Sequence, residues 1–367
     1  MKKDNLVIFM PSIEGGGVEK NLFIIANYLS SKIEGIKLIT TSTEFSHKFK
    51  NIHTVKPWFS FIKLNSRKIK YFICLVELLK MMICGKKFTV FSFQANLYCI
   101  IICKIFNKKI IIRSNSSPSG WSKNFIKRKI FKLVLKSADK IIVNSYDFKK
   151  QFKSMFNLKV KCIYNPLNKI EIIRLSKQKI YFPFFKKDNK ILKIITIGRF
   201  TDQKDHMTLL KAVNLIKNEI NFRLLIIGRG VNESLMKNYI INEELNKNIK
   251  ILNFQKNPFK YLKLADLFVL SSKFEGLPNV LLEASTLKKF IISSNCPTGP
   301  KEILLNGNGG SLFKVGNYKE LSKKIIEFKK NKNKMKKKKN LNYNNLFRFN
   351  YDNNLKKYLT EINNIIK

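Results

Sequence analysis

From end to end the chain alternates short β-branched runs with stretches of helical periodicity, and few folds other than parallel sheets wrapped by helices accommodate that alternation. In the first half, strands are expected at 6–10, 37–40, 89–93, 109–113, 140–144 and 160–163, with helical patterns between them, for example at 18–30 and 123–136. A polar, turn-rich stretch follows at 165–190, holding Pro166, Pro183 and Asp188. The alternation then restarts, with strands expected at 192–197, 222–227, 249–252, 267–270 and 290–293. The reading is an α/β chain of two Rossmann-like domains: 1–170, a linker at 171–190, and 191–349. Beyond a lysine-dense run at 329–339, residues 350–367 form a last amphipathic helix that joins the first domain, with Tyr351, Leu355, Tyr358, Leu359 and Ile362 on one side.

The net charge of +47, from 71 basic and 24 acidic residues, favours an anionic partner: nucleic acid, an acidic bilayer or a phosphorylated substrate. Lys, Asn, Ile and Phe are abundant together, so part of the excess is also what a biased genome composition would produce. The lysines are spread along the chain rather than gathered on one recognition element, which argues against a nucleic-acid module. The six cysteines show no CxxC pair and no adjacent His cluster, so neither a zinc site nor a disulfide framework is expected. No leader-like segment is legible at the start, and no apolar run reaches the roughly 18–20 residues that span a bilayer. The expectation is a cytoplasmic protein, soluble or peripheral at a membrane.

Four segments carry chemistry. Gly15-Gly16-Gly17-Val18-Glu19-Lys20 lies between the first strand and the first helix, where bare backbone N–H groups and a helix N-terminus suit a phosphate. It lacks the GxGxxG spacing and the later acid of a dinucleotide fingerprint, and it would also serve as a tight turn. Gly198-Arg199-Phe200 ends the first strand of the second half and Lys204 opens the next helix; Arg and Lys together suit a diphosphate. Phe274-Glu275-Gly276-Leu277-Pro278-Asn279-Val280-Leu281-Leu282-Glu283 places two carboxylates around a helix start, able to accept hydrogen bonds from sugar hydroxyls. The plainer alternative makes Glu275 a helix cap and Glu283 a surface residue. Last, Ser294-Asn295-Cys296-Pro297-Thr298-Gly299-Pro300-Lys301-Glu302 is a polar turn into a helix, again after a strand.

In this order the segments resemble the large retaining glycosyltransferase family 4, of GT-B architecture. The resemblance runs over nearly the whole chain and includes Ala138 to Ser145, Tyr164-Asn165-Pro166, Leu225 to Gly228, the E-x7-E motif from Glu275 to Glu283 and the PTGPKEIL run. It implies two facing domains with a deep cleft between them. Arg199 and Lys204 would hold the nucleotide diphosphate with Gly198, while Gly16 and Gly17 close from the opposite domain. Glu275 would contact donor-sugar hydroxyls and Glu283 the ribose, with Gly276, Leu277, Asn279 and Val280 completing the donor site. The implied reaction is a front-face transfer of a hexose or N-acetylhexosamine in which the leaving phosphate takes the acceptor proton, needing no metal or other cofactor. Where many members carry a His after the fourth or fifth strand, this chain has Arg113-Ser114-Asn115, so Arg113 and Asn115 are the candidates for that contact on the donor-sugar or acceptor side.

In that fold the first domain holds the acceptor, and Pro57-Trp58-Phe59-Ser60-Phe61-Ile62-Lys63 followed by Arg67, Lys68 and Lys70 has the make-up of a membrane-docking surface. Trp58, Phe59 and Phe61 would sit in the interface, and the basic helix at 123–136 would add to that face. A core helix with a basic rim is the alternative. The partners expected are therefore a nucleotide sugar (UDP-linked by preference), a lipid-linked or cell-surface glycan acceptor, and an anionic membrane, but not nucleic acid. A sugar-nucleotide epimerase of the same architecture, or a basic scaffold without catalysis, stands as the competing reading.

Overall fold

The structure, a computed structural model, describes residues 6–58, 66–85, 87–115, 118, 121, 124–185, 188 and 190–366. The chain divides into two units, Met1–Pro166 with Tyr351–Lys367, and Leu167–Asn350.

The first unit holds strands β1 (Leu6–Phe9), β2 (Ile36–Ile39), β3 (His53–Val55), β4 (Thr89–Ser92), β5 (Ile110–Ser114), β6 (Lys140–Val143) and β7 (Lys161–Cys162). Its helices are α1 (Gly17–Ser30), α2 (Arg67–Ile83), α3 (Asn96–Ile105), α4 (Phe125–Lys136) and α5 (Tyr146–Phe156). The second unit follows with α6 (Lys169–Ser176), β8 (Leu192–Ile197), α7 (His206–Leu215), β9 (Phe222–Ile227), α8 (Glu233–Asn242), β10 (Ile249–Leu252) and α9 (Phe259–Leu262). It continues with β11 (Leu267–Leu270), α10 (Asn279–Thr286), β12 (Phe290–Ser294), α11 (Pro300–Ile303), β13 (Ser311–Phe313), α12 (Tyr318–Lys330) and α13 (Lys332–Asn344), and α14 (Tyr351–Ile366) returns to the first unit.

Both sheets are parallel throughout, in the orders β3-β2-β1-β4-β5-β6-β7 and β10-β9-β8-β11-β12-β13. Parallel strands joined by helical crossovers are covered on both faces, which is why β1, β4, β5 and β11 are buried at every residue and why β1 and β11 read as unbroken apolar runs. In the first unit one core layer unites the strands with Cys74 and Leu78 of α2, Cys99 and Cys103 of α3, Leu135 of α4 and Phe148, Phe152 and Phe156 of α5. The opposite layer is built by α1 and α14, whose Leu355, Tyr358 and Ile362 form one fully buried stripe. The second unit has a comparable core around Phe200, Leu209, Phe222, Met236 and Leu321.

The two-domain α/β expectation is met, with differences at the edges. The stretch 171–190 is not a free connector: α6 packs on α9 and α10 inside the second unit. The chain enters and leaves that unit at one place, where Leu167 bridges Asn350 and its N–H donates to the Phe349 carbonyl at 2.9 Å. The lysine-dense run is helical, anchored by the buried Met335 of α13. No described helix is long and apolar enough to cross a membrane.

Candidate functional site

Each sheet is laid outward from its first strand and then resumed on that strand's other side, so its order reverses between β1 and β4, and between β8 and β11. At such a point the loops leaving the carboxyl ends of the two strands diverge and open a crevice, the usual ligand position in open α/β sheets. In the second unit the loops at this point are Gly198–Asp205, after β8, and Ser271–Pro278, after β11.

The β8 loop is held by its own chemistry. Phe200 is fully buried and meets the ring of His206 edge-on, 5.4 Å between centroids. Asp205, in the left-handed region at φ 46°, caps α7, its carboxylate accepting from the Thr208 hydroxyl at 2.6 Å. Gly228 runs so close beneath the loop that a Cβ there would lie 1.9 Å from the Gly198 carbonyl oxygen. The β11 loop is then stitched to it. The Lys273 N–H donates to the Gln203 carbonyl at 2.8 Å, the Gln203 amide to the Phe274 carbonyl at 3.0 Å, and the Ser271 hydroxyl to the Lys204 carbonyl at 3.1 Å.

This stitching brings together two side chains 71 residues apart: Lys204 Nζ lies 2.5 Å from Glu275 Oε1. Their side chains are only 15% and 8% exposed, so this is a shielded pair rather than a surface contact. The same Oε1 accepts from the Ser272 hydroxyl at 2.7 Å, and the Thr298 hydroxyl holds the Glu275 carbonyl at 2.5 Å. Gly299, at φ 87°, permits the close passage of this last loop, because a Cβ there would meet the Gly276 oxygen at 1.9 Å. Glu275 is therefore no helix cap; α10 begins at Asn279 after Pro278. Glu283 is no surface residue either, being buried in α10. Around the pair, Arg199 is exposed, Gly198, Gly276, Asn279 and Val280 are half-buried, and Leu277 is buried.

Two neighbouring groups are poor proton carriers near neutrality. Burial, aided by the Lys204 charge, pushes the His206 pKa down to about 4. Burial, aided by the Glu275 carboxylate, pushes the Cys296 thiol up to about 12. What remains is Lys204 paired with Glu275, the exposed Arg199 on the same β8 loop and the buried Glu283 on α10, groups of the kind that bind a diphosphate and polyhydroxylated rings by charge-assisted hydrogen bonds.

In the first unit the glycine loop also leaves the sheet at its reversal point. Gly15 takes φ 78°, Gly16 is the N-cap of α1, and Gly17 is its first residue. Ser12 and Gln94 close the crevice side to side through paired backbone–amide hydrogen bonds of 3.0 Å each. Arg113 requires a correction. Its side chain is fully buried, and the guanidinium donates to the Tyr358 hydroxyl at 2.8 Å, to Asn165 Oδ1 at 2.6 Å and to Asn115 Oδ1. Asn115 itself donates to the Phe93 carbonyl at 2.9 Å. Arg113 is spent on clamping α14 against the end of β5 rather than on presenting groups to a sugar, and the half-buried Asn115 ties that guanidinium to the Phe93 carbonyl. Trp58 is 75% exposed with Lys80 Nζ 4.8 Å from its ring centroid, and Phe59 and Phe61 lie outside the described residues.

Ser272 and Gln203 were not singled out from the sequence. The available signal was the change from apolar residues to Ser271-Ser272 at the end of β11, since small hydroxyls at a strand's carboxyl end mark where a sheet stops packing and starts binding.

Residues 177–345 match the model of the glycosyl transferases group 1 family. An uncharacterized glycosyltransferase of Methanocaldococcus jannaschii is 36% identical over 222 residues, which are 56% of this chain and 53% of that relative's length. A Campylobacter jejuni protein, N-acetylgalactosamine-N,N'-diacetylbacillosaminyl-diphospho-undecaprenol 4-alpha-N-acetylgalactosaminyltransferase, is 26% identical over 328 residues, 85% of this chain and 86% of its own. Among solved structures, a glycosyltransferase from Rickettsia africae superposes with a TM-score of 0.79 at 17% identity, covering 100% of both chains. Anabaena HepE in complex with UDP superposes at 0.75 and 15% identity, covering 98% of this chain and 100% of its own. At these identities the structural likeness shows the fold, that of the GT-B glycosyltransferases.

Proposed function

We propose that this chain, whose residues 177–345 match the model of the glycosyl transferases group 1 family, transfers a hexose or N-acetylhexosamine from a nucleotide sugar, with retention of anomeric configuration, to a lipid-linked glycan acceptor. The observation that carries this reading is the shielded Lys204–Glu275 pair at the reversal point of the second sheet, with Arg199 and Glu283 on the loop and helix beside it.

On this reading Lys204 and Arg199 take the donor diphosphate, Glu275 accepts hydrogen bonds from the sugar hydroxyls and Glu283 from the ribose. As the glycosidic bond to the donor breaks, negative charge accumulates on the leaving phosphate. Cations already fixed at that position stabilise this charge more than the ground state, which lowers the barrier. The departing phosphate oxygen accepts the acceptor's hydroxyl proton on the same face, so the new bond forms with the configuration of the old one. The two cations meet the diphosphate charge, and transfer is expected to persist in EDTA. UDP is the favoured nucleotide, consistent with HepE being seen with UDP, and a diphospho-undecaprenol-type acceptor with the activity in the Campylobacter relative's name. Such an acceptor would bring the enzyme to the cytoplasmic face of an anionic membrane as a peripheral protein.

The test is transfer of labelled sugar from UDP-, GDP- and ADP-linked donors to a polyprenyl-diphosphate-linked saccharide, with the product anomer read by NMR. An α-linked product from an α-linked UDP-sugar, lost in Lys204→Ala and Glu275→Ala, is the expected result. An inverted product, or turnover indifferent to both substitutions, would remove the proposal.

A further inference from the structure

Three neighbouring helices of the first unit are apolar on the side turned away from the core. On α4, Leu135 faces the sheet, while Ile126, Ile130 and Leu133, spaced i, i+4 and i+7, form one stripe on the opposite side and are 67%, 51% and 69% exposed. On α3, Cys99, Ile100 and Cys103 face the core, and Tyr98, Ile101 and Ile105 form the opposite stripe at 61%, 45% and 71% exposure. The two helices pack side by side in one layer, and α2, which packs on α3, adds Phe72 at 68%. An outward apolar face spread over adjacent helices is not what a helix layer facing water carries.

The charges around the stripe identify its partner. On α4, Lys129, Lys132 and Lys136 flank it on one side and Lys127 on the other, and the helix contains no acidic residue. Apolar residues bounded by lysines are the pattern of a helix lying in a bilayer interface, with the side chains among the acyl chains and the ammonium groups on lipid phosphates. A second copy docking through the same face would set lysines against lysines across a two-fold axis, with no carboxylate on α4 to offset them. We propose that the outer face of α3 and α4 is the surface by which this protein lies on an anionic bilayer, with Trp58 a neighbouring contributor rather than the centre. The proposal rests on the reading of a lipid-linked acceptor for its purpose, but its test does not.

Full-length protein is sedimented with vesicles of phosphatidylcholine alone or with about one-third phosphatidylglycerol. The variants are Ile126→Ser/Ile130→Ser/Leu133→Ser and, separately, Lys129→Glu/Lys132→Glu/Lys136→Glu, all at solvent-exposed positions. Wild type is expected to bind the anionic vesicles at least tenfold more strongly than the neutral ones. Each triple variant should lose at least tenfold while keeping its melting temperature, its nucleotide binding and its monomeric elution. Unchanged vesicle binding in the serine variant overturns the proposal. So does a wild type that stays in the supernatant but dimerises through this face, with dimers abolished by the same substitutions. Failure of sugar transfer with intact vesicle binding would count against the transferase reading alone.

Discussion

Replacing Lys204 by Met should damage the second unit more than replacing Lys204 and Glu275 together. Wild-type Glu275 is 8% exposed at its side chain, and Oε1 has two donors, Lys204 at 2.5 Å and Ser272 at 2.7 Å. Taking the ammonium away leaves a shielded carboxylate with one neutral hydroxyl. Breaking a buried pair on one side costs about 3–5 kcal/mol, because the partner's desolvation is no longer offset. For a unit of the size of Leu167–Asn350, each kcal/mol moves the melting temperature by about 2–4 °C, so Lys204→Met should lower it by on the order of 10 °C. Glu275→Gln in the same chain removes the stranded charge with little change of volume, and should restore all but about 1–2 kcal/mol. Urea unfolding of wild type, both single variants and the double variant gives the coupling energy directly. Values below about 0.5 kcal/mol, with the two single effects adding, would mean that the pair behaves like an exposed ion pair and that the shielding argument is wrong.

Arg113→Met should remove the donor that the Tyr358 hydroxyl and the Asn165 and Asn115 oxygens share, lowering stability of the first unit by about 3 kcal/mol and exposing α14 to limited proteolysis. Gly299→Ala forces a Cβ onto the Gly276 oxygen at a positive φ; a loss of about 2 kcal/mol or more is expected, with weakened nucleotide binding because the Glu275 loop must move. His206 titrates near 6.5 when unfolded but at about 4 in the fold, so the folded protein binds fewer protons between those values. Its contribution is complete above pH 6.5 and is lost progressively as pH falls towards 4, about 3 kcal/mol in all, and His206→Gln should flatten the stability profile across that window.

The alternation of strands and helices was legible because a parallel sheet buried on both faces imposes continuous apolar runs. Elements that escape this constraint were not read. Strand β3, three residues at the sheet edge and not fully buried, carries His53 and Thr54 and gives no apolar signal. Strand β13 is equally short, and its middle residue is half-buried. The stretch 171–190 reads as polar and turn-rich, yet α6 docks through Ile172 and Ser176, of which only Ile172 is apolar, too little for periodicity to distinguish from a linker. At the site, the order of motifs pointed to Lys204 and Glu275, but their direct contact is set by two loops meeting at a sheet reversal, which no local pattern encodes. Arg113 was misread for a related reason. An arginine at the end of a strand reads as a ligand group, whereas its partners Asn165 and Tyr358 lie 52 and 245 residues away.

The most direct test of the central claim, that the carboxyl ends of β8 and β11 form a nucleotide-sugar site, is a thermal-shift panel of UDP, GDP and ADP with their sugars on wild type and Glu283→Ala. The account predicts that one nucleotide series, UDP by preference, raises the melting temperature of wild type and that the rise is lost or clearly weakened in the variant. Folded protein that no nucleotide stabilises, or an equal rise in both proteins, would contradict it.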